Sequence, residues 1–312
     1  MISEKASHNR LQSISEEVRR ERRKGDMYDI INTTMESKRE PANEIPESTP
    51  INNTRFRRLL TLASIAVVKR FRRRSPGVLN ISKGVCVKFG AFRTLAEASA
   101  MKFIGEHTSI PVPKIYCSFV HKGKTYIVME RIRGKHIARG WALRTPESQA
   151  KILSQIREMV AEMRKLTPET SRIANVDGGI LYDGRLNGPE QFGPFENTNE
   201  FHRYLRSDFP ARPTNPEGVN ELIEWQDGPW HDLPVFTHGD LSSFNILAVG
   251  DKVVGIIDWE TAGWYPLYWE YTTAMYVNPQ NLFWKKEVDK FLDAFPTAQA
   301  MEEIRQKHFG DY

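Results

Sequence analysis

Asp240, Asn245 and Asp258 are the residues of this chain whose types and spacing could do chemistry. They lie in THGDLSSFNILAVGDKVVGIIDWE, residues 237–260. An Asp stands two residues after a His, an Asn five residues after that Asp, and a second Asp closes a later apolar run. Two strand-like stretches, 245–249 and 253–258, flank Gly250-Asp251-Lys252, a hairpin turn headed by Gly. Antiparallel pairing would bring the end of the second stretch back to the start of the first and set Asn245 beside Asp258. Two oxygen ligands at one edge suit a hard divalent cation such as Mg²⁺. Asp240, on the loop just before, can then point at whatever the cation holds. A base, an amide ligand and a carboxylate ligand around one ion are the working parts of a phosphoryl-transfer site. A surface hairpin with ordinary turn carboxylates has the same letters, but it does not explain why the ligand types converge where the hairpin puts them.

At these residues the chain resembles the aminoglycoside phosphotransferase-like kinases, a small-molecule branch of the protein-kinase-like fold. The family motif has the form H-G-D-x-x-x-x-N followed by I-D-W/F/P. Here it reads His238-Gly239-Asp240, Asn245 and Ile257-Asp258-Trp259. The resemblance implies an α+β, bilobal protein-kinase-like fold, with a small β-rich N-terminal lobe and a larger, mainly helical C-terminal lobe. It implies that Asp240 accepts or positions the hydroxyl proton of a small-molecule acceptor, and that Asn245 and Asp258 bind Mg²⁺ with the phosphates of ATP. His238 is then a structural residue of the catalytic loop. The resemblance also makes Lys88 the lysine that grips the α and β phosphates and Glu97 its ion-pair partner. Met129, Glu130 and Arg131 become the hinge whose backbone meets the purine edge. It covers roughly residues 85–260, and the segments IPVPKIY, YIVMERIRGK and GWYPLYWEY are similar to those of fungal members. One departure stands out: no Gly-rich phosphate loop precedes Lys88, only Ser75-Pro76-Gly77 and a lone Gly84. It keeps open an alternative, a nucleotide-binding pseudokinase or scaffold with little or no catalysis. Protein-kinase activity is disfavoured because no A-P-E-like segment follows Asp258.

The elements that must position these residues can be read from periodicity. Residues 1–54 are polar and charged, with Pro41, Pro46 and Pro50 among Asn, Glu and Ser, and read as a disordered extension. Residues 55–74 form a basic helix or linker, and 75–131 a nucleotide-clamping lobe. In that lobe strands 78–81 and 85–89, a helix over 95–104, an extended IPVPKIYCSFV and a strand over 124–130 follow one another. Alternation in 85–89 turns Lys88 away from Val87 and Phe89. The catalytic and acceptor-binding lobe, 132–312, opens with Thr145-Pro146-Glu147, a helix start with Thr as cap and Pro in the first turn. Ile152, Leu153, Ile156, Met159, Val160, Met163 and Leu166 recur at three-and-four spacing, a core stripe. Residues 167–236 read as irregular and rich in Gly, Pro and aromatics. They offer Tyr182, Asp183 and His202 as candidate acceptor contacts, because loops on a rigid scaffold commonly carry function. Trp264, Tyr265, Tyr268, Trp269 and Tyr271 could cage a cationic amine or pack the core behind the metal loop, and core packing is favoured.

Charge and composition bound the remaining classes. The chain has 312 residues and a formal net charge of +5. Between Arg55 and Arg74 there are eight Lys/Arg and no Asp or Glu, so the basicity is local. A nucleic-acid-binding domain spreads its basic face over the folded part, and no nucleic-acid partner is expected. Residues 55–74 have two readings. One is a basic amphipathic helix touching anionic membrane. The other, favoured for want of Trp and for a modest apolar face, is a helix packed outside the N-terminal lobe with its Arg in solvent; as a helix the segment carries Phe56, Leu60, Ala63 and Val67 along one stripe in either reading. No apolar run reaches membrane-spanning length, the first residues lack a secretory h-region, and the two cysteines, Cys86 and Cys117, lie in strand-like runs. A cytoplasmic protein with buried free thiols is expected.

Overall fold

Alternating apolar residues after Gly77 build a four-stranded antiparallel sheet in the order β1-β2-β4-β3, from β1 (Val78–Asn80), β2 (Val85–Gly90), β3 (Ile115–His121) and β4 (Lys124–Glu130). The computed structural model describes residues 45–71, 77–186, 188–276 and 279–310. The β3–β4 turn is closed by Lys122 and Gly123, both at positive φ, and His121 pairs with Lys124. That is the two-residue geometry whose twist matches a hairpin. Alternation along β2 does what the sequence requires. Val87 and Phe89 face one layer, while Cys86 faces the main core and Lys88 is buried on the same side.

The outer layer of this sheet is α1 (Arg55–Phe71), begun by Thr54, whose Oγ1 accepts from the Arg57 N–H at 3.2 Å. The stripe of Phe56, Leu60, Ala63 and Val67 is not the face that packs. Thr61 and Ile65 are buried, with Leu62 and Val68 partly so, against Leu79, Val87, Cys117 and Phe119. Phe56, Leu60, Ala63 and Val67 are exposed. The helix has two apolar faces, and the sheet's own contour selects the second. The expected disordered extension is corrected in its last part as well. Ile51 exchanges hydrogen bonds with Ser118 on β3, N–H to Oγ at 3.0 Å and O from N–H at 2.9 Å. The rest of that expectation, residues 1–44, lies outside the described residues.

On the inner side of the sheet lies α2 (Ala96–His107), which buries Ala98, Ala100, Met101 and Ile104. After the linker, β5 (Lys135–His136) joins β9 (Ile246–Val249) and β10 (Lys252–Ile256) in the order β10-β9-β5. The long helix α3 (Pro146–Met163) starts where expected: Thr145 Oγ1 accepts from the Ser148 N–H at 3.2 Å and Pro146 occupies the first turn. Its stripe of Ile152, Leu153, Ile156, Val160 and Met163 is buried, with Met159 and Leu166 partly buried against it. Gln155 on this helix grips the β9–β10 hairpin, its Oε1 accepting from the Val253 N–H at 3.0 Å and its Nε2 donating to Asp251 O at 2.8 Å.

The stretch read as irregular contains regular pieces: β6 (Leu181–Tyr182), β7 (Gln191–Phe192), α4 (Thr198–Leu205), α5 (Val219–Gln226) and β8 (Val235–Thr237). Asn197 caps α4 by accepting from the Glu200 N–H at 3.0 Å, and the helix buries Phe201 and Leu205 in a second cluster with Phe192, Tyr265 and Trp269. Then β11 (Gly263–Tyr265) pairs with β8, and α6 (Trp269–Met275) and α7 (Pro296–Phe309) complete the larger part. Trp264, Tyr265, Tyr268, Trp269 and Tyr271 are all buried, which is the core reading and not an open cage.

Candidate active site

The hairpin β9–β10 turns through Gly250, at φ 59°, and pairs Ile246 with Ile256. One step further the Ile257 N–H donates to Asn245 O at 2.9 Å, so the two ends return to one edge. The second strand stops at Ile256, short of the expected 258. Asp258 leaves it in the left-handed region, at φ 66° and ψ 59°. For a residue with a Cβ that backbone is strained and persists only where its surroundings hold it. The Asp258 side chain meets Lys88 Nζ through Oδ1 across a separation of 170 residues.

Asp240 sits on the loop between β8 and β9. Asn245 Nδ2 donates to Asp240 Oδ2 at 2.7 Å and to Asp240 O at 3.0 Å. This spends the amide nitrogen and leaves Asn245 Oδ1 as the atom for a cation. The loop itself is held from below. Glu270 on α6, fully buried, accepts from the His238 N–H at 2.7 Å and from the Gly239 N–H at 3.0 Å. His238 receives the Asp240 N–H on Nδ1 at 3.1 Å and so donates from Nε2 to Ile257 O at 3.1 Å. Both ring nitrogens are engaged with backbone, which ties the loop of Asp240 to the segment that leads into Asp258. Gly239 has φ 78°, and a Cβ there would stand 3.0 Å from Thr261 O, so only Gly fits.

Lys88, 4% exposed, is the junction of the two lobes. Its Nζ donates to Glu97 Oε1 at 2.8 Å and to Glu260 Oε2 at 2.9 Å, besides Asp258. Carboxylate oxygens of Glu97, Asp258 and Glu260 lie within 4.8 Å of one another around this one ammonium, and Arg93 pairs with Glu260 at the rim. Burial raises the Glu97 carboxyl above its usual range, opposed by the charge of Lys88. At Asp258 burial pulls the same way, but the Lys88 charge and hydrogen bond outweigh it and hold the carboxyl below its usual value. Glu97 Oε2 is buried with no hydrogen-bond partner. The donor set fits a hard cation bound with phosphates: one amide oxygen, and one ionised carboxylate that remains 41% exposed.

At the expected hinge, Met129, Glu130 and Arg131, the backbone is tied to the sheet and its neighbours. The Glu130 N–H donates to Lys114 O at 2.9 Å, the Arg131 N–H donates to Gly84 O at 3.0 Å, and Met129 is paired on both sides within the sheet. The bond from Arg131 places Gly84 against the linker, at the opposite end of β2 from Lys88, so this glycine is no phosphate loop. Gly77 is at the other end: its O accepts from the Phe89 N–H at 3.0 Å.

Four residues of the site were not found in the sequence. Glu260 had a signal, since it follows Asp258 by two positions in the motif. Arg93 and Glu270 had none. Arg185 stands beside the candidate Asp183: it donates to Asp183 Oδ1 at 2.8 Å and Oδ2 at 2.7 Å, to Gly239 O at 2.5 Å, and its Nη1 lies 3.6 Å from Asp240 Oδ1. Asp183 therefore joins the site through Arg185. Tyr182 is its half-buried neighbour. His202 is corrected: it is fully buried, its ring donates from Nδ1 to Gln226 O at 3.0 Å, and Nε2 accepts from Tyr268 Oη at 2.7 Å. Burial drops its pKa to about 4, and it presents no face to an acceptor. Cys86 and Cys117 are free and buried, with burial pushing the Cys86 thiol up to about 11.

The sequence pattern of the phosphotransferase enzyme family matches residues 88–306, and the chain belongs to that family. A curated relative, the probable acyl-CoA dehydrogenase IBR3 of Arabidopsis thaliana, is 27% identical over 217 residues, 65% of this chain and 24% of the relative. The chain thus spans about a quarter of that protein's length. Among solved structures, a thermostable mutant of aminoglycoside phosphotransferase APH(4)-Ia in its apo form matches with a TM-score of 0.50 at 14% identity, covering 76% of this chain and 82% of that one. The α+β bilobal kinase-like fold is the shared feature.

Proposed function

We propose that this member of the phosphotransferase enzyme family moves the γ-phosphoryl group of ATP to a hydroxyl of a small molecule, with Asp240 as base. The observation that carries the reading is the convergence at Lys88. One buried ammonium reaches Glu97 from its own lobe and Asp258 from the other, which closes the cleft around the candidate metal ligands. Asn245 and Asp258 would hold Mg²⁺, which supplies charge neutralisation for the phosphates. Lys88 lies where it can exchange a carboxylate for phosphate oxygens.

Transfer then needs little covalent chemistry from the protein. The acceptor oxygen forms a bond to the γ-phosphorus as the bond from that phosphorus to the β–γ bridging oxygen breaks, and ADP leaves. The hydroxyl proton passes to the Asp240 carboxylate, whose Oδ2 is fixed by Asn245 and whose loop is fixed by Glu270 and Arg185. The pseudokinase alternative rests on the missing Gly-rich loop alone. Asp240, Asn245, Asp258 and the Lys88–Glu97 pair argue against it.

Thermal-shift titration with Mg·ATP tests the site, since a ligand of the folded state raises the melting temperature with its concentration. The wild type shifts, Asp258→Ala does not, and Asp240→Asn shifts as the wild type does. In an acceptor screen Asp240→Asn turns over roughly 10²–10⁴-fold more slowly. Near-normal turnover in that variant, or an unchanged shift in Asp258→Ala, sinks the assignment.

A further inference from the structure

Helix α1 is apolar on the side it turns to solvent as well as on the side it packs. Phe56, Leu59, Leu60 and Val67 are 73, 68, 55 and 59% exposed, and Ala63 between them is exposed too. Their spacing of three and four residues puts them on one face. The opposite face, with Thr61 and Ile65, is spent on the sheet. Nothing among the described residues covers the outer stripe.

Charge supplies a second, independent observation. The helix has no acidic residue in its first turn, where its dipole would favour one, and carries Arg55, Arg57 and Arg58 there instead. Some of its cations serve the fold: Arg58 lies over the Phe119 ring, Lys69 over Phe89, and Arg57 Nη1 donates to Tyr116 O at 2.7 Å. Arg55 and Arg70 fall on the Leu59 flank of the stripe and have no ion-pair partner among the described residues. Arg72, Arg73 and Arg74 follow directly in the sequence. Exposed Leu and Phe, and cations at a helix N-terminus, each work against a helix that meets only water, and such local violations concentrate at working surfaces.

We propose that α1 docks the protein on an anionic lipid bilayer, with the Phe56–Leu60–Val67 stripe lying in the boundary between headgroups and acyl chains and the flanking arginines on anionic headgroups. A second copy of the chain fits this face poorly, since it would bring two uniformly basic helices together, whereas a bilayer offers both the apolar boundary and the opposite charge. The attachment is peripheral: among the described residues no helix is long and apolar enough to cross a membrane.

The test sediments the full chain with vesicles of phosphatidylcholine alone and with vesicles carrying about one-third phosphatidylserine. The protein pellets with the anionic vesicles only, and less so when salt is raised from about 0.1 M to about 0.5 M. Phe56→Asp with Leu60→Asp abolishes pelleting. Arg55→Gln with Arg70→Gln weakens partitioning roughly 25-fold, about fivefold per charge. All four side chains point to solvent, so the Mg·ATP thermal shift and the circular dichroism of each variant match the wild type. Four results overturn the proposal: no pelleting with either vesicle, equal pelleting with both, pelleting that survives the Phe56/Leu60 double substitution, or a wild-type dimer in light scattering that this substitution dissociates.

Discussion

Replacing Lys88 by Met should destabilise the metal-free, nucleotide-free protein by about 3 kcal/mol near pH 8 and by much less near pH 5. The substitution keeps the apolar stem and removes the charge that Glu97, Asp258 and Glu260 share. Breaking a buried pair by deleting one partner costs roughly 3–5 kcal/mol because the other charge is left stranded. Asp258 and Glu260 are 41 and 22% exposed and regain water, so Glu97, at 2%, decides the cost and sets it at the low end of that range. Burial already raises the Glu97 carboxyl, and Lys88 is the main influence opposing it. Without Lys88 the folded state keeps Glu97 protonated while the unfolded chain ionises it above about 4.5. The folded state then binds the extra proton, so stability is fully present below that value and is lost as pH rises toward the elevated folded pKa. Urea unfolding followed by tryptophan fluorescence reads the effect. With a slope of about 3 kcal/mol per molar, the midpoint near pH 8 falls by about 1 M. Adding Glu97→Gln recovers most of the loss, since a neutral amide needs no counter-charge. Equal losses at both pH values, or simply additive losses in the double variant, would refute a Lys88–Glu97 coupling.

Glu270→Gln keeps one acceptor for the two N–H groups of His238 and Gly239 and turns a donor toward the other. It should cost about 1–3 kcal/mol and lower turnover more than tenfold, with the Mg·ATP thermal shift retained; unchanged turnover would mean that the catalytic loop does not depend on this carboxylate. His202, neutral in the fold with its pKa lowered to about 4 from 6.5, contributes stability that is full above the upper value and lost as pH falls through the lower. The acid limb of the wild-type stability profile should therefore be steeper than that of His202→Gln by about 3 kcal/mol in total, and parallel limbs would disprove the buried neutral imidazole.

Sequence alone determined what backbone geometry makes local. The five-residue step from Asp240 to Asn245 closes within one loop, and a hairpin's period of two returns Ile257 to Asn245, so the meeting of these residues at one edge was legible before any tertiary contact was known. The stripe of α3 was legible for the same reason, because a period of 3.6 residues is a property of the helix and not of its neighbours. Tertiary structure decided everything that depended on a partner. On α1 two faces are apolar, and only the contour offered by Leu79, Val87 and Phe119 chose Thr61 and Ile65 over Phe56 and Leu60. The short helices α4 and α5 have too few turns for periodicity to register, and burial of Phe201 and Leu222 holds them. Arg93 meets Glu260 across 167 residues and Glu270 reaches back 32 to His238, separations at which spacing in the chain carries no information. His202 reads from its letters as a candidate acceptor contact and is a core histidine, because burial among Trp225, Trp230 and Tyr268 makes the neutral ring the cheaper form.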